Sequence, residues 1–261
     1  MGLGYHVIQR LDDDRVLVRD AAARRVYAAT VLRLGKEAGL FCFGLPDNHS
    51  HVGLECDRVT AGRFAQRLGT ALRKRLELPV PFAPARLREI RDQGHLTNAF
   101  GYIAAQAQHH GIDADPWLEA TVVPDLLGLR VVGTYVLLRV RALLPRLRRE
   151  HLLAKLGVTR LERGHDLTDL EDAAAAIIGK PMLVGRAALV HRARHAAVAV
   201  ARAEGATTAR IAELLGTSRR SVRRLLRKDP RAAYVRAVGL QLGLRAMRAA
   251  PPADFDQRQG D

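Results

Sequence analysis

One segment of this chain reads Leu45-Pro46-Asp47-Asn48-His49-Ser50-His51-Val52-Gly53-Leu54-Glu55. Side chains on an extended strand alternate faces, so His49 and His51 point the same way and their imidazoles can converge on one cation. Val52, Leu54 and Cys56 are then expected on the opposite, core-facing side. About fifty residues later comes Phe100-Gly101-Tyr102-Ile103-Ala104-Ala105-Gln106. On a helix Tyr102 and Gln106 stand one turn apart on one face, a phenol beside an amide oxygen. Two imidazoles and one amide oxygen leave open positions on a divalent ion, Mg²⁺ or Mn²⁺, and a phosphate oxygen can fill one of them. Neither pair is specific alone, because buried tyrosines are common and a His-x-His pair is more often incidental than a metal site. The specificity lies in the joint occurrence.

A second constellation lies in Thr207 to Leu226. Thr207 or Thr208 can cap a short helix whose apolar side is Ile211, Leu214 and Leu215. Gly216 permits a tight turn, and Ser218 can cap a second helix with Val222, Leu225 and Leu226 facing inward. Its remaining positions include Arg219, Arg220, Arg223, Arg224 and Arg227. That is the pattern of a helix-turn-helix with a basic recognition helix, whose arginines can contact phosphate or guanine edges. An upstream helix, Arg186 to Ala203, can support it.

The elements that must position these residues follow from local pattern. Tyr5 to Arg10 and Arg15 to Val18 read as strands, Ala21 to Lys36 as a helix, and Gly39 to Phe43 and His49 to Glu55 as the strands of a hairpin around a Pro46-Asp47-Asn48 turn. Thr60 is the expected N-cap of a helix running to Leu76. Ala85 to Ile90 reads as a strand, and His95 to His110 as a helix stopping at Gly111. The order predicts an α+β fold, an antiparallel sheet with helices on one side, and such an arrangement hosts many functions. Arg139 to Lys155 is leucine- and arginine-rich with a break at Pro145, and from Leu167 onward the chain reads as helix.

Composition narrows the partners. Among 261 residues there are 42 Lys+Arg and 27 Asp+Glu, a formal charge of +15. Such a surface attracts polyanions. Residues 151–261 hold 20 basic and 11 acidic side chains, against 22 and 16 in residues 1–150, so the excess is larger at the C-terminal end. Cys42 and Cys56 are too few for a disulfide framework or a four-thiolate zinc site and read as small core residues. No apolar signal core opens the chain, and the apolar stretch from Ala120 to Leu147 is interrupted by prolines and charges. The expectation is therefore a cytoplasmic protein with no membrane partner.

The first constellation resembles the HUH nucleases, most closely the single-tyrosine IS200-like and REP-associated transposases, over roughly residues 4–130. The opening Tyr5 to Arg10, the Pro-x-Asn-His-x-His-hydrophobic stretch at Pro46 to Val52, and the Tyr-Ile-x-x-Gln helix occur in the family's order. The chain departs from the pattern at Ser50, where a bulky apolar residue is usual, and at Gln106-Ala107, where the REP-associated branch often has Asn-Pro. The resemblance implies a ferredoxin-like antiparallel sheet of the HUH fold over 1–130. It implies Tyr102 as nucleophile, His49, His51 and Gln106 as ligands of Mg²⁺ or Mn²⁺, and single-stranded hairpin DNA as substrate, nicked and rejoined through a 5′-phosphotyrosine. The C-terminal layout resembles, more loosely, the DnaA-like helical domain of some REP-associated members. The expected organisation is a basic helical linker over 131–165, a helical DNA-binding domain over 166–250 adding duplex recognition, and a disordered tail over 251–261. Ser50 and the 5% aromatic content keep open the alternative of a retired transposase scaffold acting as a DNA-binding regulator. The sequence does not choose between monomer and homodimer, nor among His95, His109 and His110 as helpers of the phenol.

Overall fold

A computed structural model describes residues 2–13, 15–46, 48–106, 117–164 and 166–249. The N-terminal part runs β1 (Gly4–Arg10), α1 (Ala21–Gly35), β2 (Leu40–Gly44), β3 (His49–Leu54), α2 (Arg58–Arg75), β4 (Arg86–Ile90) and α3 (Gln93–Ala104). The four strands form one antiparallel sheet in the order β2-β3-β1-β4. The expected strand at Arg15 to Val18 is absent. That stretch has irregular backbone, and Leu17 and Val18 still reach the core from it, each 3% exposed.

Short carboxylate caps set where the helices begin. Asp20, Asp57 and Asp92 each accept a hydrogen bond from the backbone N–H three residues on, at Ala23, Thr60 and His95. Such a cap satisfies one of the orphan donors of a first helical turn. Asp57, not Thr60, is therefore the cap of α2, and α3 begins at Gln93, ahead of His95.

Pairing register fixes the two faces of the sheet. Val7 and Gln9 face α1 and α2, where the Gln9 amide donates to Ala65 O on α2. Ser50 shares that side and bonds the buried Tyr27 hydroxyl of α1 at 2.7 Å. His6 and Ile8 face the other way, and so does His51, which stands opposite Ile8 in the β1–β3 register. Helix α3 covers part of this second face, so the expectation of helices on one side fails for α3. The close packing needs a glycine. A Cβ on Gly44 of β2 would lie 2.3 Å from the backbone oxygen of Ile103 on α3, a clash that no side-chain rotation relieves.

Within the stretch expected as a linker, 131–165, the described helices pack on the first core. After α4 (Val123–Leu127) come α5 (Thr134–Leu143) and α6 (Arg149–Lys155), separated around Pro145. Val136, Val140, Leu144, Leu152, Leu153 and Leu156 of this stretch join the sheet's hydrophobic cluster. A buried ion pair locks α4 in place: Arg130 donates to both carboxylate oxygens of Asp125 and to Glu119 O and Thr121 O, with its guanidinium 5.5 Å from the Phe43 ring centroid.

A second core gathers α7 (Leu170–Ala176), α8 (Ala188–Ala203), α9 (Thr208–Leu214), α10 (Arg219–Leu225) and α11 (Ala232–Ala249). Helix α11 serves both cores, placing Ala237, Val238 and Leu242 in the second and Leu244 in the first. An ionic cluster spans the junction. Arg25 of α1 pairs with Glu119 at 2.8 Å and Asp172 at 2.7 Å, and Arg245 of α11 pairs with Asp172 at 2.6 Å. Burial opposes ionisation of Asp172, but hydrogen bonds and charge from Arg25 and Arg245 outweigh it and hold the carboxyl below its usual range. Among the described residues no helix is long and apolar enough to cross a membrane. The expected tail at 251–261 lies outside the described residues.

Candidate phosphate-chemistry site and basic helix

Three imidazoles and one phenol meet where β1, β3 and α3 converge. The ring centroids of His49 and His51 are 4.6 Å apart, and that of Tyr102 lies 5.4 Å from His51 and 6.2 Å from His6. His51 is 2% exposed, whereas Tyr102 is 46% exposed, so the phenol stands at the surface above a buried imidazole. A large substrate can therefore reach the hydroxyl without entering the core.

His6 is the member that motif reading missed. Its Nε2 lies 2.9 Å from His51 Nδ1. Desolvation, helped by the positive charge of Arg88 and His95, pulls the His6 pKa down to about 4, so the ring is neutral at ordinary pH. One nitrogen of the His6–His51 bond must donate and the other accept. When His51 Nδ1–H donates to His6, the lone pair of His51 sits on Nε2, the form that can ligate a metal. His49 is oriented in the same manner. Its Nδ1 is 2.6 Å from Asn48 Oδ1, and an amide oxygen only accepts, so Nδ1 carries the proton and Nε2 the lone pair. No local pattern in the sequence marks His6; it is found through the strand register, two positions before Ile8, the residue directly opposite His51.

Gln106 is not placed as expected. Helix α3 ends at Ala104, and Ala105 turns the chain with its N–H on Tyr102 O at 3.2 Å. Tyr102 and Gln106 therefore do not share one continuous helix. Gln106 is fully buried, its Nε2 donates to Tyr102 O at 3.4 Å, and its Oε1 has no hydrogen-bond partner among the described residues. A buried carbonyl oxygen in that state is costly, on the order of 1–3 kcal/mol, and is the kind of neutral donor that suits a hard divalent ion. Among the described residues no group of three or more His, Cys, Asp and Glu side chains is arranged to hold a metal ion. The donors that the sequence pointed to are two imidazoles and the Gln106 amide.

Ser50, the departure from the family pattern, lies on the far face of β3, where its hydroxyl bonds Tyr27. It does not disturb the histidine face. Of the other imidazoles, His95 sits in the first turn of α3, its Nδ1 3.4 Å from the Arg91 N–H. His109, His110 and Asp47 lie outside the described residues.

The helix-turn-helix pattern is present in α9 and α10. Thr207 caps α9 by accepting from Arg210 N, and Ser218 caps α10 by accepting from Ser221 N. Gly216 between them has φ +53°, a left-handed turn conformation in which a Cβ is unfavourable. Val222 and Leu225 are buried, but Leu226 is 37% exposed, contrary to expectation, because α10 ends at Leu225. Arg219, Arg220, Arg223, Arg224 and Arg227 are all exposed. The last four, with Ser221, line one open surface groove.

Compared with protein-family models, with curated proteins and with solved structures, the chain matches none.

Proposed function

We propose that this protein is a metal-dependent single-tyrosine DNA transposase of the HUH group, nicking and rejoining single-stranded DNA. The observation that carries the reading is the meeting of the exposed Tyr102 phenol with the His49–His51 pair, two elements far apart in sequence. The β-α-β-β-α-β order and the β2-β3-β1-β4 sheet agree with the ferredoxin-like arrangement that such a site uses.

In this reading His49, His51 and Gln106 would hold a divalent ion through Nε2, Nε2 and Oε1. The ion, when bound, neutralises charge developing on the scissile phosphate. His6 and Asn48 keep the two imidazoles in the ligating tautomer. Tyr102 Oη gives up its proton and attacks phosphorus, the bond to the 3′ oxygen breaks, and that oxygen takes up one proton to leave as a free 3′ hydroxyl, so the proton lost by the phenol balances the one gained by the leaving group. The 5′ side stays joined to the tyrosine, so a second 3′ hydroxyl can later attack the phosphotyrosine and release Tyr102, with no ATP required. The exposed arginines of α10 add duplex DNA as a second partner.

The test is incubation with Mn²⁺ and labelled hairpin-containing single strands of varied sequence, followed by a denaturing gel. A protein-linked band that Tyr102→Phe abolishes is the expected result. Retained DNA binding with no adduct across the panel leaves the DNA-binding regulator, whose support is the capped α9–α10 pair with its arginine-lined groove.

A further inference from the structure

The half of the histidine-bearing face that α3 leaves open has a definite composition. In the β1–β4 register His6 stands opposite Arg88 and Ile8 opposite Arg86. In the β1–β3 register Ile8 stands opposite His51 and Arg10 opposite His49. Directly paired residues on antiparallel strands project to the same side, so Arg86 and Arg88 share the face of His6, His51 and Tyr102. Adjacent strands lie about 4.8 Å apart, which puts the β4 arginines roughly 10 Å across the sheet from the β3 histidines. Both arginines are exposed, and Ile8 between them and His51 is half-buried, an apolar floor. The one carboxylate of β4, Glu89, pairs with Tyr5 and lies on the opposite face. Arg88 is close enough for its charge to depress His6.

Other basic side chains near the sheet are placed on its opposite side. Arg73 and Lys74 are near the C-terminal end of α2. That helix packs on the other face, where its Ala65 O meets Gln9 and a Cβ on Gly62 would meet Leu87.

Resting on the reading of Tyr102 as the nucleophile, we propose that the open β1–β4 face is the track for single-stranded DNA adjoining the scissile phosphate. Arg86 and Arg88 grip its backbone, and Arg73 and Lys74 take no part. The charge is complementary to a phosphodiester chain, and guanidinium forks bind phosphate oxygens bidentately. The aliphatic floor and the absence of Phe, Tyr and Trp among the β1 and β4 positions of this face, whose one ring is the buried His6, suit a strand held by its backbone, with little dependence on base identity.

The experiment measures binding of a short unstructured single-stranded oligonucleotide to the full chain carrying Tyr102→Phe, across a range of salt concentrations. For every phosphate no longer neutralised by the protein, the slope of log affinity against log salt should fall by about 0.7. Adding Arg86→Gln and Arg88→Gln should flatten the slope by about 1.4 and weaken binding on the order of tenfold at 0.1 M salt. Arg86→Lys with Arg88→Lys should keep most of the slope, while Arg73→Gln with Lys74→Gln should leave it unchanged. Both arginines are exposed, and a thermal melt confirms that the variants are folded. An unchanged slope in the Arg86→Gln, Arg88→Gln protein overturns the track, as does an equal drop in the α2 variant. Failure of the wild-type chain to form a tyrosine adduct is read separately: it removes the strand-breaking chemistry and leaves the salt result standing.

Discussion

Gly44→Ala should disable the site from beneath, without touching a reacting group. The added methyl would stand 2.3 Å from Ile103 O and 3.4 Å from Ile103 C. Ordinary contact begins at 3.4 Å, so relief by the oxygen requires α3 to move by 3.4 − 2.3 Å, about 1.1 Å. The methyl is fixed by the β2 backbone and meets the backbone of α3, so no rotamer change can absorb the overlap. Ile103 adjoins Tyr102, so the phenol moves with it relative to His51. A misplacement of about 1 Å at a reacting group costs on the order of 100-fold in rate. Overpacking of this kind costs about 1–3 kcal/mol, and for a domain of this size each kcal/mol lowers Tm by about 2–4 °C. The assay is the single-turnover rate of adduct formation at saturating single-stranded DNA and Mn²⁺, beside a thermal melt. Gly62→Ala is the control, because its methyl meets only Leu87 Cδ1 at 3.9 Å. A folded Gly44→Ala protein reacting at the wild-type rate would refute the claim that α3–sheet contact sets the Tyr102 position.

Other perturbations test separate links. His6→Ala should weaken Mn²⁺ binding by about 10–100-fold, as removal of a partner that orients a ligand does. Calorimetric titration without DNA reads this, and unchanged affinity would show that His6 does not orient His51. Ser50→Ala should cost about 1–3 kcal/mol by stranding the buried Tyr27 hydroxyl, and adding Tyr27→Phe should recover much of it; urea unfolding of the single and double variants decides. The Asp172 carboxyl titrates below its ordinary value of 3.8 because Arg25 and Arg245 outweigh burial. Its contribution to stability is present above about pH 4 and is lost as pH falls through the lowered value. Melts of Asp172→Asn should therefore differ from wild type from neutral pH down to about pH 4 and begin to converge only below that, and a constant gap down to pH 3 would contradict the assignment. Arg220→Gln with Arg223→Gln should lower duplex affinity and cut its salt slope by about 1.8, measured by fluorescence anisotropy; an unchanged slope would remove α10 from the duplex interface.

The legible parts of the fold are those encoded by local pattern. His49 and His51 on one strand face need only the two-residue alternation, and both helix-turn-helix caps need only Ser or Thr before an apolar run. Thr60 stands in for Asp57 as the expected cap because both types favour that position and only backbone geometry separates them. The Arg15 to Val18 stretch has a strand's β-branched composition but joins no strand among the described residues, and pairing is a non-local property. The side of the sheet taken by α3 depends on Gly44, whose role is visible only once Ile103 O is known to approach it. His6 cannot be singled out for the same reason: its partner His51 is 45 residues away and reached through a strand register. Spacing assigns Gln106 to a helix that ends before it, since Ala104 and Ala105 carry no breaker signal such as glycine or proline. The leucines of 131–165 look like a basic linker because arginines alternate with the residues that reach the core.

The most direct measurement is peptide-mapping mass spectrometry of the protein after reaction with Mn²⁺ and a single-stranded hairpin substrate. The account predicts one modified peptide, with the nucleotide joined through its 5′ phosphate to Tyr102 and a free 3′ hydroxyl on the released strand. Cleaved DNA with an unmodified Tyr102 peptide, or an adduct on another side chain, would contradict it.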